Sequence, residues 1–445
     1  MRFRLLLSLS LAVLLAACGS SARSPSSEPG RGKPVTTLRV WYSTDDPAER
    51  IWSHQLARGY EATHPQVKVQ FSVFSFEDLN TKLQLALSAG TPPDAVYVTP
   101  RGPGIPAYVA NHQLLDLTPY ARADHWAARL QPGLLAEYNQ PFSYLGAPAG
   151  HIMAIPTTVA AVAVLYNRAL LAQLHLSVPH TLASFNAALV KARAAGYTPI
   201  GIGNADGWVG DDLYLTLVNA MLPPSVLRPE LRLSKQFSFT GSTFLRAATQ
   251  LNDWSSNGYL TPNFGGLDAQ EGINLFFRGK TLFQLVSSSE NPQISQNERA
   301  TNLPIGVFAF PTERGTRTSP SSGYLGWVVP KAAAHPGDAV QFISSLLTPG
   351  TAQFLLRHGS IPAMRAGALR SGMAWQQMYL TAVRTAEPGI YLDAAPVPNL
   401  NATMEANVQL LLQGYEHPSF LITSLQKVYA SHGNGGSTAR IDGEF

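Results

Sequence analysis

Apolar residues occupy every second position from Val67 to Val73, with Lys68, Gln70 and Ser72 between them, the period of a strand with one face buried. Leu38 to Tyr42 is a shorter apolar run of the same kind. Between the two, Asp46-Pro47-Ala48-Glu49 supplies a capping side chain, a proline for the first turn and an acid three positions after the cap. A helix is therefore predicted from this point. It carries Ile51, Trp52, Leu56 and Tyr60 toward a core and stops at His64-Pro65, where proline blocks continuation. Ser75 opens a second helix with Leu79, Leu83, Ala86 and Leu87 on one face, closed by Gly90 and Thr91-Pro92-Pro93. Ala95 to Val98 reads as a third strand.

Strand, helix, strand, helix, strand implies parallel pairing through right-handed crossovers, an open α/β sheet. Ligands of such sheets sit beyond the carboxyl ends of the strands, here Ser43 to Asp46 and Thr99 to Gly104. The pattern returns with a strand at Val159 to Leu165, a helix at Thr181 to Ala195 closed by Gly196, and a strand at Pro199 to Ile202. That strand opens into a loop, Gly203-Asn204-Ala205-Asp206-Gly207-Trp208, ahead of a helix over Asp211 to Leu222. A helix around Asp268 to Arg278, a strand at Thr281 to Val286 and a largely helical stretch from Ala339 onward complete the reading, with a frayed end from Ser431. The 445 residues, 45% of them hydrophobic, suffice for two lobes. No fixed-period repeat is visible, which disfavours a solenoid or propeller.

The amino terminus changes where such a protein must work. Basic Met1-Arg2-Phe3-Arg4 precedes an uncharged run of 13 residues, Leu5 to Ala17. A spanning helix needs roughly 20 apolar residues, so this is a signal peptide. Leu15-Ala16-Ala17-Cys18-Gly19 resembles a bacterial lipobox, which implies cleavage before Cys18 and acylation of its thiol. Cys18 is the single cysteine and has no partner for a disulfide. A diacylglyceryl group with an N-acyl chain meets the two-chain requirement for stable membrane anchoring. Residues 18–36 then form a tether, rich in Ser, Pro, Gly and Arg and unable to bury a core. The formal net charge is +4, but Arg2 and Arg4 leave with the leader, and Arg23, Arg31 and Lys33 against Glu28 sit in the tether. The folded body is near neutral, so the basic excess is no argument for nucleic acid.

From Val40-Trp41-Tyr42-Ser43 onward the chain resembles the type II extracellular solute-binding proteins of ATP-binding-cassette importers, in the sugar-binding branch that includes maltodextrin-binding protein. The carriers are, in order, His64-Pro65-Gln66-Val67-Lys68-Val69, Gly90-Thr91-Pro92-Pro93-Asp94-Ala95-Val96, Ile155-Pro156, and Leu165-Tyr166-Asn167-Arg168-Ala169-Leu170-Leu171. Pro179-His180-Thr181-Leu182, Ala194 to Ile200, Phe277-Arg278-Gly279-Lys280-Thr281-Leu282-Phe283, Gly323-Tyr324-Leu325-Gly326-Trp327 and Ile361-Pro362-Ala363 follow. Their order and spacing over some 300 residues carry the resemblance. It implies an α/β fold of two lobes with open mixed sheets flanked by helices, joined by three crossings and closing on ligand by hinge bending. Lobe 1 is expected over residues 37–155 and 323–360, lobe 2 over 156–322 and 361–445, with a signal peptide at 1–17. The implied partners are a small-molecule sugar, a membrane permease and the membrane itself through the lipid, and the protein is expected to be a monomer.

A sugar presents many hydroxyls and flat apolar ring faces, so its site needs carboxylates, amides and hydroxyls together with aromatic rings. Ser43, Asp45 and Asp46 supply such groups after the first strand, although Asp46 is equally explained as a helix cap. Thr99 follows the third strand. Trp208 stands in a loop where a large ring gains from a covering ligand, the alternative being burial under the helix after it. Asp206 accepts hydroxyls or makes the turn. By the resemblance Tyr324 lies at a return to the first lobe, with Trp327 facing the opposite way on the same strand. Arg365, and Glu405 or Met404, occupy places that line the cleft in relatives or serve as helix-surface residues. Relatives often carry Gly-x-Trp where this chain reads Ser287-Ser288-Ser289, so Ser288 is expected to bond hydroxyls directly, which weakens any transfer of maltodextrin specificity.

An exported glycosidase would use two carboxylates, but no diagnostic pair stands out. Gly-x-Ser-x-Gly, His-Glu-x-x-His and a phosphate-binding glycine loop are absent from the sequence. The 11 histidines show no metal spacing, and neither a metal nor a cofactor is expected. A binding protein for a phosphoryl ester such as glycerol phosphate is the nearer rival and would need a cation, for which Arg101 is the candidate.

Overall fold

A computed structural model describes residues 35–98, 104–132, 134–139, 142–143, 146–227, 237–323, 325–365, 371–390, 397 and 399–433. Cys18, Thr99, Arg101 and Tyr324 lie outside the described residues.

Strand β1 (Thr36–Ser43) is followed by helices α1 (Pro47–Trp52) and α2 (His54–Thr63), then β2 (Val67–Phe74), helix α3 (Phe76–Ser88) and β3 (Ala95–Val98). Asp46 caps α1 by accepting from the Glu49 backbone N–H at 2.8 Å, and Ser75 caps α3 through Asp78. The single helix predicted over this stretch is broken at Ser53 into two. β1 pairs in parallel with both β2 and β3, with Leu38 opposite Val69 and Val40 opposite Ala95. Parallel strands buried on both sides read as continuous apolar runs, as Ala95 to Val98 does, all four residues fully buried.

After β4 (Ile155–Pro156) the chain enters a second sheet through β5 (Val159–Asn167). Helix α4 (Leu182–Ala194), capped by Thr181, leads to β6 (Thr198–Gly201) and helix α5 (Trp208–Met221). Further along come β7 (Thr281–Ser287), helix α6 (Asn291–Thr301), β8 (Ile305–Phe308), β9 (Phe310–Pro311) and β10 (Arg317–Gly323). β11 (Gly326–Val328) returns to the first sheet, and helix α7 (Ala374–Thr385) and β12 (Glu387–Gly389) belong with the second. Helix α8 (Leu400–Leu412) packs on α5.

The first sheet runs β2-β1-β3-β11-β4 and the second β12-β10-β5-β7-β6, with β8 and β9 on its flank. β11 is antiparallel to β3 and β5 antiparallel to β7, so both sheets are mixed, as the resemblance implied. Each has its own core. Tyr42, Tyr97 and Trp327 stack under the first, with ring centroids 4.7 to 5.9 Å apart. Phe185, Trp254, Phe283 and Phe310 gather under the second. Trp327 is thus a core residue, and at the fully buried Leu and Phe positions of either core truncation to Ala costs about 2–5 kcal/mol.

The passages between the sheets are short. Only Thr157 and Thr158 separate β4 from β5, and β10 ends at Gly323 where β11 begins at Gly326. A third strand of chain is bonded to the first passage: the Val159 N–H donates to the Ile361 carbonyl and the Ala363 N–H to the Thr157 carbonyl, each at 2.9 Å.

Candidate functional site: the cleft between the lobes

The loop after β1 meets the start of α6, which brings elements of the two lobes into contact. Asp46 is buried, and its carboxylate has two roles. Oδ1 accepts from Glu49 N, and Oδ2 accepts from the Gln293 backbone N–H at 3.1 Å across the lobes. Behind it lies Glu49, fully enclosed, accepting from the Tyr42 hydroxyl at 2.5 Å and the Thr44 hydroxyl at 3.0 Å. Burial pushes the Asp46 carboxyl up to about 6 and the Glu49 carboxyl up to about 8, because the charged forms lose their water. The charge of Asp46 acts on Glu49 in the same direction.

Around this contact the chain buries polar groups that the described residues leave unanswered. The Ser43 hydroxyl, both atoms of the Asn291 side-chain amide and the Gln293 side-chain carbonyl have no hydrogen-bond partner. Such a group costs about 1–3 kcal/mol unless something bonds it, so their gathering at the meeting of two lobes fits a polar ligand. Gly359, with φ of +102°, lets the backbone before the third passage close on α6. A Cβ there would lie 2.7 Å from the Asn291 carbonyl and the Pro292 nitrogen.

In the second lobe, Tyr379 of α7 is fully buried and donates to the Ala161 carbonyl of β5. Burial raises its hydroxyl pKa well above the ordinary value, and the charges of Glu290 and Asp212 add to the rise. Both carboxylates are buried, and Glu290 accepts from Ser287 N at 2.8 Å. The acids Asp212, in the first turns of α5, and Glu290, with the unbonded amide of Asn291 at the start of α6, can accept hydrogen bonds from the hydroxyls of a neutral ligand. Among the described residues no group of three His, Cys, Asp or Glu side chains is placed to hold a metal ion.

The residues singled out in the sequence fall into different places. Asp46 is in the contact itself, and Ser43 is buried at the end of β1. Asp45 is half-buried and accepts from the Phe76 N–H at 3.2 Å, tying the loop to α3. Trp208 is not in a loop: it is the first residue of α5, half-buried against the second core. Asp206 is exposed just before it. Ser288 is buried. Its hydroxyl donates to the Val159 carbonyl at 2.7 Å and accepts from Ala161 N at 3.1 Å, which pins β5 just after the first passage. Arg365 is exposed and its Nε donates to the Leu130 carbonyl at 3.0 Å. Met404 is buried in the second core, whereas Glu405 accepts from Asn401 and packs beside Gly207. Asp212, Glu290, Asn291, Gln293 and Tyr379 are buried polar residues that come forward only in the structure. Glu290-Asn291-Pro292 carries the proline of a helix start, which was the available signal.

A separate groove on the second lobe is lined by Phe308, Arg317, Gln377, Met378 and Thr381. The Arg317 guanidinium there donates to the carbonyls of Ala309 and Pro179, so the charge is engaged by the fold.

Residues 44–353 match the family described as bacterial extracellular solute-binding protein. The "Multiple sugar-binding protein" of Streptococcus mutans is 23% identical over 340 residues, 76% of each chain. Among solved structures, a chitin oligosaccharide binding protein superposes with a TM-score of 0.78 at 22% identity, over 90% of this chain and 100% of that one. A sugar transporter from Bacillus licheniformis in complex with stachyose gives 0.72 at 17% identity, over 89% and 100%. The fold is shared with these two-lobed proteins, and the match over most of its length shows that the chain belongs to the bacterial extracellular solute-binding protein family.

Proposed function

We propose that the protein captures a neutral mono- or oligosaccharide between its lobes and delivers it, unaltered, to an ATP-binding-cassette permease, while lipid on Cys18 holds it at the outer face of the membrane. The observation that carries the reading is the bond from Gln293 N–H to Asp46 between the lobes, together with the unbonded buried groups of Ser43 at the end of β1 and of Asn291 and Gln293 at the start of α6. Carboxylates at Asp46, Asp212 and Glu290 suit hydroxyl donors, and the half-buried ring of Trp208 offers a face for a sugar ring. Asp45, Asp206, Thr99, Tyr324 and Arg365 stand as further ligand contacts. The sugar names carried by relatives support the class of ligand and leave its identity to experiment.

Thermal-shift and calorimetric screening against a sugar panel tests this, since a ligand that binds the folded state alone stabilises it by mass action. The expected result is a saturable shift with one or a few sugars and recovery of the sugar unchanged by chromatography. Response to glycerol phosphate and to no sugar would replace the reading with that of a phosphoryl-ester binder, and turnover of the sugar would make the protein an enzyme. Mass spectrometry of the membrane-bound protein should find a diacylglyceryl group on Cys18 at the new amino terminus; an unmodified Cys18 would refute the lipid anchor.

A further inference from the structure

One carboxylate ends two helices that belong to different lobes. The first four N–H groups of any helix lack partners within it. For α1 one of these, Glu49 N, is answered by Asp46 Oδ1, and for α6 another, Gln293 N, is answered by Asp46 Oδ2. The two residues are 247 positions apart, and Pro292 leaves Gln293 as the first helical N–H of α6 beyond Asn291. Helix α6 has no side-chain cap of its own: Glu290 precedes it in αR backbone and makes no capping bond to it.

We propose that Asp46 is a latch that holds the lobes together, bonding α6 only when the cleft is shut and releasing it to water when the lobes part. The inference rests on the reading of the chain as a hinge-closing binding protein and names what holds its closed state. Beside the latch in the chain is the half-buried carboxylate of Asp45, which accepts from Phe76 N–H. Glu49 lies behind it in α1, with Tyr42 of β1 bonded to Glu49. Arg50 is directed to the carbonyls of Thr44 and Val73. Asn291-Pro292-Gln293 brings no charge, and Glu290 bonds Ser287 N. His358 stacks on Trp52 of α1 at 5.2 Å.

The latch is sensitive to acidity in a direction that can be worked out. With the lobes together, burial lifts the Asp46 carboxyl to about 6. Parting admits water and returns it toward the ordinary carboxylate range. The shut state therefore binds the proton more strongly, and closure is favoured as pH falls through about 6 and loses that contribution as pH rises above it.

Asp46→Ser retains a cap for α1 and removes the second acceptor, while Asp46→Asn keeps the shape and sets a donor against the Gln293 N–H. Hydrogen exchange of the Gln293 amide and the radius of gyration from solution scattering, both on the ligand-free full chain, read the latch without knowledge of the sugar. Exchange at Gln293, corrected for its chemical pH dependence, is expected to be at least about threefold faster in either variant. The wild type alone should gain protection and compactness from about pH 7 to about pH 5. Protection at the Glu49 amide of Asp46→Ser shows that α1 is still capped. Unchanged exchange at Gln293 in both variants, or the same pH response with and without Asp46, overturns the latch. A failed sugar panel overturns the functional reading and does not touch these measurements.

Discussion

The hydroxyl of Tyr97 meets the hydroxyl of Thr158 at 2.6 Å, so a residue at the middle of the first sheet is bonded to the two-residue passage that leads out of it. Trp327 does the same for Thr157, its indole N–H donating to the threonine hydroxyl at 3.2 Å. Both threonines are buried. The passage is thereby held by its side chains as well as its backbone. Tyr97→Phe leaves the Thr158 hydroxyl buried without this partner and should cost about 1–3 kcal/mol of stability. Denaturant midpoints measure it, and a cost under a few tenths would mean that water takes the place of the phenol.

Glu49 should make the fold less stable as pH rises. Its carboxyl is pushed up to about 8 in the fold against an ordinary value near 4.5 in the unfolded chain. The folded state therefore holds a proton that the unfolded state has released. That contribution is complete below the ordinary carboxylate range and is lost as pH rises through about 8, at up to about 1.4 kcal/mol per pH unit. Glu49→Gln keeps the shape without the titration, so thermal midpoints of the variant should lack the fall between about pH 4.5 and about pH 8 expected of the wild type. Parallel curves for the two proteins would show that Glu49 is not the group responsible.

Gly359→Ala should damage the cleft more than a surface glycine would. The position has φ of +102°, and a Cβ would press on the Asn291 and Pro292 backbone. Strain and displacement together should cost about 1–3 kcal/mol. Gly337, where a Cβ meets nothing within 4 Å, is the comparison. Equal midpoints for the two alanine variants would disprove the close approach.

Trp208→Ala should weaken sugar binding at least about tenfold, on the scale of a lost stacking ring. The ring is half-buried against the second core, so some loss of stability accompanies it. Trp208→Phe, which retains a ring face, should recover most of the affinity. Equal affinity in the alanine variant removes Trp208 from the site.

Local chemistry made much of the fold legible. Asp46-Pro47-Ala48-Glu49 announced α1, and the alternation from Val67 to Val73 announced β2. Ala95 to Val98 was bounded correctly because prolines end the segment before it. Trp208 opens a helix and not a loop because Gly207, with φ of +83°, is the cap from which α5 starts. Ser288 was read as a ligand group because nothing in a run of serines tells which hydroxyl the backbone will claim. Gln293 was invisible for a deeper reason: its role is a backbone N–H offered to a residue 247 positions away, and side-chain identity has no bearing on that.

The brevity of the passages has a consequence for the shape of whatever is carried. Two residues between β4 and β5 leave little slack for one lobe to slide along the other, so on the proposed closing motion the lobes would swing, like covers about a spine. A space that opens by swinging is a wedge, narrowest beside the spine and widest at the rim. A long, thin molecule fits a wedge lengthwise along the spine and is pinched if it enters end-on. Chain length in the cargo would then be limited by the breadth of the lobes and cross-section by the angle of the swing, so that lengthening an oligomer and branching it should meet two separate limits.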